Sequence, residues 1–223
     1  MLVHYCCVYY SELAHNKISK RTEPYWQSRA FSWAVKTGQF KNKFTVLYRK
    51  KNISITRENI NKARLIFGNF IDAILKQENA DEDTLLIPVP SRDAILDAPS
   101  YRSHAMTLAA LDTSTWRSRI YDGLRWTELL AKAHEGGPRG REELKAYLRA
   151  VGDLEGKKVY LIDDIFTKGG SLLASKDVLE AAGAQVLGAI TAAKTVHDFN
   201  TVPYGYQKLE LTKELNDYAG QTA

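Results

Sequence analysis

Two adjacent carboxylates, Asp163 and Asp164, follow the apolar run Val159, Tyr160, Leu161 and Ile162, and a small-residue loop, Thr167-Lys168-Gly169-Gly170-Ser171, comes just after them. The run is rich in strand formers, so it predicts a buried strand that ends where the acidic pair begins. From Leu172 the apolar positions Leu172, Leu173, Val178 and Leu179 share one helical face, Gly183 supplies a stop, and Val186 to Ala192 forms a second apolar run. The order is strand, glycine-rich loop, helix, strand.

A loop of small residues opening a helix presents unpaired backbone N–H groups and the positive end of the helix dipole, which suits a phosphate monoester. Thr167 and Ser171 add hydroxyl donors, and Gly169 and Gly170 let the backbone approach phosphate oxygens closely. Carboxylates directly upstream would repel that phosphate unless the ligand separates the charges with a ring of hydroxyls. A ribose 5-phosphate has that build.

The stretch resembles the signature of the type I phosphoribosyltransferases: four apolar residues, two acidic, two apolar, then Thr-x-Gly-Gly-Thr/Ser. The resemblance implies that Asp163 and Asp164 hold the ribose hydroxyls of phosphoribosyl pyrophosphate (PRPP). Thr167, Lys168, Gly169, Gly170 and Ser171 would hold its 5-phosphate. It also implies a Mg²⁺ ion bridging pyrophosphate and ribose oxygens, carried by the substrate with Asp163 and Asp164 as its candidate protein ligands. The implied reaction moves the 5-phosphoribosyl group to a nitrogen acceptor and releases pyrophosphate. Phe166 and Lys168 are bulkier than this loop usually carries.

A second informative stretch is Thr84 to Arg92, an apolar strand ending in Pro88-Val89-Pro90. Proline cannot continue a sheet ladder, so a structured loop starts here. Pro-Val-Pro at this place is similar to the competence protein F (ComF-like) branch, and it implies a pyrophosphate-binding role for Pro90, Ser91 and Arg92. That branch commonly begins with a cysteine-rich zinc module, which this chain lacks. Tyr101 to Leu111 would be the following helix, with His104 on it as a surface or packing residue.

Residues 115–150 are rich in charge, with Arg117, Arg119, Arg125, Arg139 and Arg141 around Gly136-Gly137-Pro138. The resemblance implies a flexible lid here that closes over the substrates. Spacing does not select which arginine acts.

The remaining elements must position these groups. Leu2 to Tyr10 reads as a strand, Ser11 to Pro24 as a loop, and Tyr25 to Thr37 as a helix ended by Gly38. Phe44 to Tyr48 and Ile53 to Ile55 read as a hairpin, and Thr56 as the N-cap of a helix reaching Gln77. Asn200 to Tyr206 reads as a loop and Leu209 to Tyr218 as a short amphipathic helix. The expected fold is α/β, a mainly parallel sheet flanked by helices. The expected domains are an N-terminal hood over residues 1–55 and a core over 56–223 that includes the lid. The hood would recognise the acceptor, and Tyr9, Tyr10, Tyr25 and Trp26 there could either stack on a planar base or pack on one another.

With 223 residues, 44% apolar and 26% charged, the chain has the composition of an ordinary globular protein, which excludes a disordered class. Its apolar runs are too short to cross a bilayer, and MLVHYCCVYYSELAH lacks the build of an export signal. The two cysteines, Cys6 and Cys7, make neither a disulfide framework nor a metal site, so a cytoplasmic location is expected. The net charge is +5, with cations clustered at Lys17 to Arg21, Lys36 to Lys43, Arg49 to Lys51 and Arg117 to Arg141. These are either solvated surface or contacts for a polyanion, nucleic acid or the pyrophosphate itself. A second functional reading is a regulator that senses PRPP without turnover, in DNA uptake or bacterial stress and defence. A homodimer is a further implication of the resemblance.

Overall fold

The computed structural model describes residues 1–11, 22–131, 136–138 and 140–216. Its centre is a five-stranded sheet. The elements in chain order are β1 (Leu2–Tyr10), α1 (Glu23–Thr37), β2 (Phe44–Tyr48), β3 (Lys51–Ile55), α2 (Asn61–Gln77), β4 (Leu85–Pro88) and α3 (Arg102–Ala110). After a 3₁₀ turn at Thr115–Arg119 come β5 (Leu124–Trp126), α4 (Arg141–Tyr147), β6 (Leu148–Ala150), β7 (Lys158–Phe166), α5 (Gly170–Ala181), β8 (Gln185–Val196) and β9 (Tyr204–Glu210). The sheet order is β4-β7-β8-β1-β9, parallel throughout except for β9. This is the expected α/β architecture with a mainly parallel sheet.

The central strand β7 is apolar on both sides because both its faces are covered. Val159 and Leu161 lie in the core shared with α5, while Tyr160 and Ile162 lie in the core beneath α1, α2 and α3. Gly38 closes α1 in the left-handed conformation, as its position after the last apolar residue anticipates. The β2–β3 hairpin forms across the two-residue turn Arg49-Lys50.

Several expectations change. β7 does not stop before the acidic pair but runs through Asp163 and Asp164 to Phe166, because Asp163, Ile165 and Phe166 pair with Thr191, Ala193 and Lys194 of β8. β8 is correspondingly longer than its apolar run. α2 begins at Asn61 rather than after Thr56. The Thr56 amide donates to Asn59 Oδ1 at 2.8 Å, so the Asn59 side chain reaches back to close a turn ahead of the helix. α5 begins at Gly170, two residues before its apolar face.

Residues 204–210, placed partly in a loop and partly in a helix by the sequence, form β9, an edge strand antiparallel to β1. Partner strand and bulge position are non-local, so the pattern of 209–218 alone reads as helical. Residues 211–216 follow without regular structure, and 217–223 lie outside the described residues.

β1 is not part of an appendage. It lies inside the sheet between β8 and β9, with Val3, Cys7 and Val8 fully buried. Among the described residues of 1–55, the β2–β3 hairpin forms a separate small sheet. The segment expected as a lid contains β5 and β6, paired antiparallel, and α4, seated against α5. Arg139 and the basic cluster at Lys17 to Arg21 fall outside the described residues.

Candidate active site

The site lies where β7 passes between the carboxyl ends of its neighbours. Alternation along the strand sends Asp163 and Asp164 to opposite faces. Asp164 enters the interface with α1 and α3, where only 2% of its side chain is exposed. Its Oδ1 accepts from Lys36 Nζ at 2.9 Å and from the Ile165 amide at 2.7 Å, and its Oδ2 accepts from Arg102 Nη1 at 2.7 Å. Arg102 also donates to the Lys36 carbonyl at 3.3 Å, so it braces the end of α1 while the two cations share one carboxylate. The two carboxylates therefore lie in different surroundings. One is clamped by cations, and the other is left with a partly accessible edge.

Asp163 is that other group. Its Oδ1 accepts from the Asp164 amide at 2.8 Å. Burial, reinforced by the neighbouring Asp164 charge, pushes its carboxyl up to about 7, while Lys36 and Arg102 pull the other way. The folded state thus binds this proton more tightly than the unfolded chain. Ionisation costs stability that is intact below about pH 4 and lost as pH rises toward 7. Asp163→Asn keeps the amide acceptor and removes the charge. It is expected to be more stable than wild type at pH 8 by about 1–4 kcal/mol, with the gain shrinking toward zero at pH 4, read from denaturant melts across that range.

The glycine-rich loop closes into α5 as expected. Gly169 has φ +85° at the N-cap, and Gly170 starts the helix. Thr167 Oγ1 lies 2.8 Å from Thr195 Oγ1, which ties the loop to the end of β8. The Lys168 carbonyl accepts from the Leu215 amide at 2.9 Å, and Leu211, 1% exposed, lies against Gly169. The chain after β9 thereby buttresses the loop. Thr167 and Lys168 are exposed and Ser171 is half-buried, so the cradle's outer side chains meet solvent.

The loop after β4 is held by its own side chains and by α3. Ser91 is buried and exchanges hydrogen bonds with Ser103, amide to hydroxyl in both directions at 3.0 Å, while its own hydroxyl donates to Asp93 at 2.6 Å. Asp93 also accepts from the Arg102 amide at 2.8 Å, so the loop is fastened to the start of α3. Pro90 is buried and Arg92 is exposed. The cation that this loop brings beside Asp164 is Arg102.

Two residues of β5 staple the same loop. Trp126 Nε1 donates to the Ser91 carbonyl at 3.0 Å. Arg125 is 8% exposed, donates to the carbonyls of Ile95 and Ala98 at 2.9 and 2.8 Å, and is held by Asp122 while covering the Tyr101 ring. Arg125, a lid candidate by sequence, is a buried strut. Arg117 pairs with Asp112, Arg119 with Asp83 and Arg141 with Asp177. The hood aromatics pack on one another: Tyr10 stacks on Phe199 with centroids 4.5 Å apart, Tyr25 meets both edge-on, and Trp26 meets Phe40. His104 lies against Tyr101, a packing residue as anticipated.

Lys36, Arg102 and Trp126 were not singled out as site residues. No spacing rule could find the first two, since they meet Asp164 across 128 and 62 residues.

Residues 119–208 match the family model of the phosphoribosyl transferase domain. The match runs from the turn before β5 into β9 and covers less than half of the chain. An orotate phosphoribosyltransferase from Methanopyrus kandleri is 48% identical over 42 residues, which is 19% of this chain and 23% of that protein. An adenine phosphoribosyltransferase from Corynebacterium jeikeium is 57% identical over 35 residues, 16% of this chain and 17% of that one. The chain spans less than a quarter of the length of these curated relatives. The finer resemblance to competence protein F finds no support in their names.

Among solved structures, an adenine phosphoribosyltransferase aligns over 74% of this chain and 89% of its own, at 12% identity and TM-score 0.41. That of Saccharomyces cerevisiae aligns over 75% and 97%, at 11% identity and TM-score 0.37.

Proposed function

We propose that the protein is a Mg²⁺-dependent phosphoribosyltransferase that moves the 5-phosphoribosyl group of PRPP to a nitrogen acceptor and releases pyrophosphate. The observation that carries this reading is the convergence at the end of β7. An acidic edge, two cations from separate helices and a helix-opening glycine loop meet where a sugar phosphate bearing a second anion would fit. The ribose would lie against Asp163, and the 5-phosphate on Thr167, Lys168, Gly169, Gly170 and Ser171. The pyrophosphate would lie over Pro90, Ser91 and Arg92.

In the reaction the bond from the anomeric carbon to pyrophosphate breaks, its electron pair leaves with the pyrophosphate, and an acceptor nitrogen lone pair forms the new bond. The transition state carries positive charge on the ring and growing negative charge on the leaving group. Side chains need only orient and stabilise. Lys36 and Arg102 are 31% and 38% exposed, so each can turn from Asp164 toward an arriving pyrophosphate. That exchange frees Asp164 for the ribose.

The donor set does not suit an ion held by the protein alone. Among the described residues no three His, Cys, Asp or Glu side chains cluster for a metal, and both Asp164 oxygens are engaged. A Mg²⁺ ion arriving with the substrate would find Asp163 as its protein carboxylate. Such an ion would neutralise the leaving group.

A regulator that binds PRPP without turnover is the second reading, favoured by the closed state of Asp164. Calorimetry with PRPP and Mg²⁺, followed by pyrophosphate release with purines, pyrimidines and orotate, separates the two. Binding with turnover is the expected result, and Asp163→Asn should lower it by well over tenfold. Binding without turnover for every acceptor supports the regulator, and no binding rejects both.

A further inference from the structure

No acidic residue occurs from Pro24 to Arg57, a stretch that carries eight cations. Tertiary structure removes some of them from consideration, since Lys36 pairs with Asp164 and Arg29 lies over the Tyr9 ring. Lys41 and Lys43, before β2, and Arg49, Lys50 and Lys51, at the hairpin turn, are all exposed and make no ion pair among the described residues, Arg49 lying over the Tyr48 ring at the surface. Five like charges on one small hairpin repel one another, and no carboxylate among the described residues pairs with them.

The turn itself is unusual for its residue types. Arg49 and Lys50 both adopt left-handed backbone, at φ 49° and 62°. Two-residue turns of this kind favour Asn-Gly, and a residue with a Cβ costs about 1 kcal/mol or more at each position. The hairpin holds two long cations at its tip despite that cost.

Beside this tip a half-open cavity of about 310 Å³ lies between the hairpin, α2 and β9. Its walls include Leu47, Tyr48, Phe70, Tyr204 and Tyr206, and Arg49 stands among them. Among the described residues no acidic side chain lines it. Leu47 and Tyr206 remain 54% and 44% exposed, large apolar groups presented to solvent at its edge. Aromatic walls with cations at the mouth and on both ends of the adjoining strands match one chemistry well: a flat ring attached to a chain of phosphates.

We propose that the β2–β3 hairpin and this cavity bind single-stranded nucleic acid, with one base entering between the aromatic side chains and the neighbouring phosphates lying on Arg49, Lys50, Lys51, Lys41 and Lys43. A strand fits better than a free nucleotide because the cations spread over the length of the hairpin, farther than one phosphate reaches. The surface uses none of the groups assigned to PRPP, so it stands or falls separately from that reading.

The test is fluorescence anisotropy of the full chain with a labelled twelve-nucleotide oligo(dT). Binding is expected to weaken with salt, with a slope of log affinity against log salt of about −2 to −4 for three to five phosphates. The double variant Arg49→Glu, Lys50→Glu should bind at least tenfold more weakly, with its melting temperature and PRPP binding unchanged. Tyr206→Ala should weaken binding about 5–100-fold through loss of stacking, and Tyr206→Phe should restore it. If Tyr206→Ala melts early, Leu47→Ser at the cavity edge replaces it, with a several-fold loss expected.

Four results would overturn the proposal. They are no binding at 50 mM salt, equal affinity for an abasic strand of the same length, equal affinity for thymidine monophosphate, and displacement of the oligonucleotide by PRPP.

Discussion

Replacing Asp164 with alanine is expected to lower the melting temperature by about 5–10 °C and to abolish pyrophosphate release. Asp164 pairs with both Lys36 and Arg102, and its side chain is almost wholly buried. Removing one partner of a fully buried ion pair costs about 3–5 kcal/mol, because the other charge stays desolvated. Here the two cations are about one-third exposed and can turn partly into water. The expected loss is therefore about 2–3 kcal/mol, with 2–4 °C of melting temperature for each in a chain of this size.

The double variant Asp164→Ala, Lys36→Met should recover part of the stability, since it removes one stranded charge, and none of the activity. A double-mutant cycle read by denaturant melts measures the coupling. An Asp164→Ala protein that melts and turns over like wild type would show that the clamp neither supports the fold nor serves the site.

Gly169→Ala is the second large effect, expected at about 2–4 kcal/mol of stability together with loss of PRPP affinity. Two costs combine. At φ +85° an alanine gives up about 1–2 kcal/mol of backbone energy, and its Cβ would lie 2.5 Å from Leu211 Cδ2 and 3.0 Å from Cδ1. Leu211 has no room to retreat, being buried beneath the loop it buttresses. Shortening it as well, in Gly169→Ala, Leu211→Ala, removes the clash, exchanges it for a cavity, and leaves the backbone cost. If that double variant is no worse than Leu211→Ala alone, backbone strain at Gly169 is negligible and only sterics require the glycine. Calorimetric titration with PRPP then reads whether the loop's amides still converge on the phosphate.

Much of the scaffold was legible because its signals are local. An apolar run such as Val159 to Ile162 announces a strand, Gly38 and Gly183 mark helix ends, and glycine before Leu172 marks a loop opening a helix. Errors arose where a local signal competed with a distant partner. β7 outran its apolar run because β8 was there to pair with Ile165 and Phe166, and β9 formed because β1 offered an edge. Arg125 has the composition of a lid residue, yet the carbonyls of Ile95 and Ala98 draw it inside.

The residue order alone determined that a carboxylate pair, a glycine turn and a helix start must follow one another within a few residues of a core strand, since covalent connection guarantees that proximity. Tertiary structure decided what each carboxylate does. Strand alternation sends the two to opposite faces, and only the folding of α1 and α3 over one face supplies Lys36 and Arg102 to Asp164, while Asp163, 9% exposed, accepts from the Asp164 amide. Charge partners that come from 128 and 62 residues away leave no trace in spacing, because their meeting is a property of how helices cover a sheet.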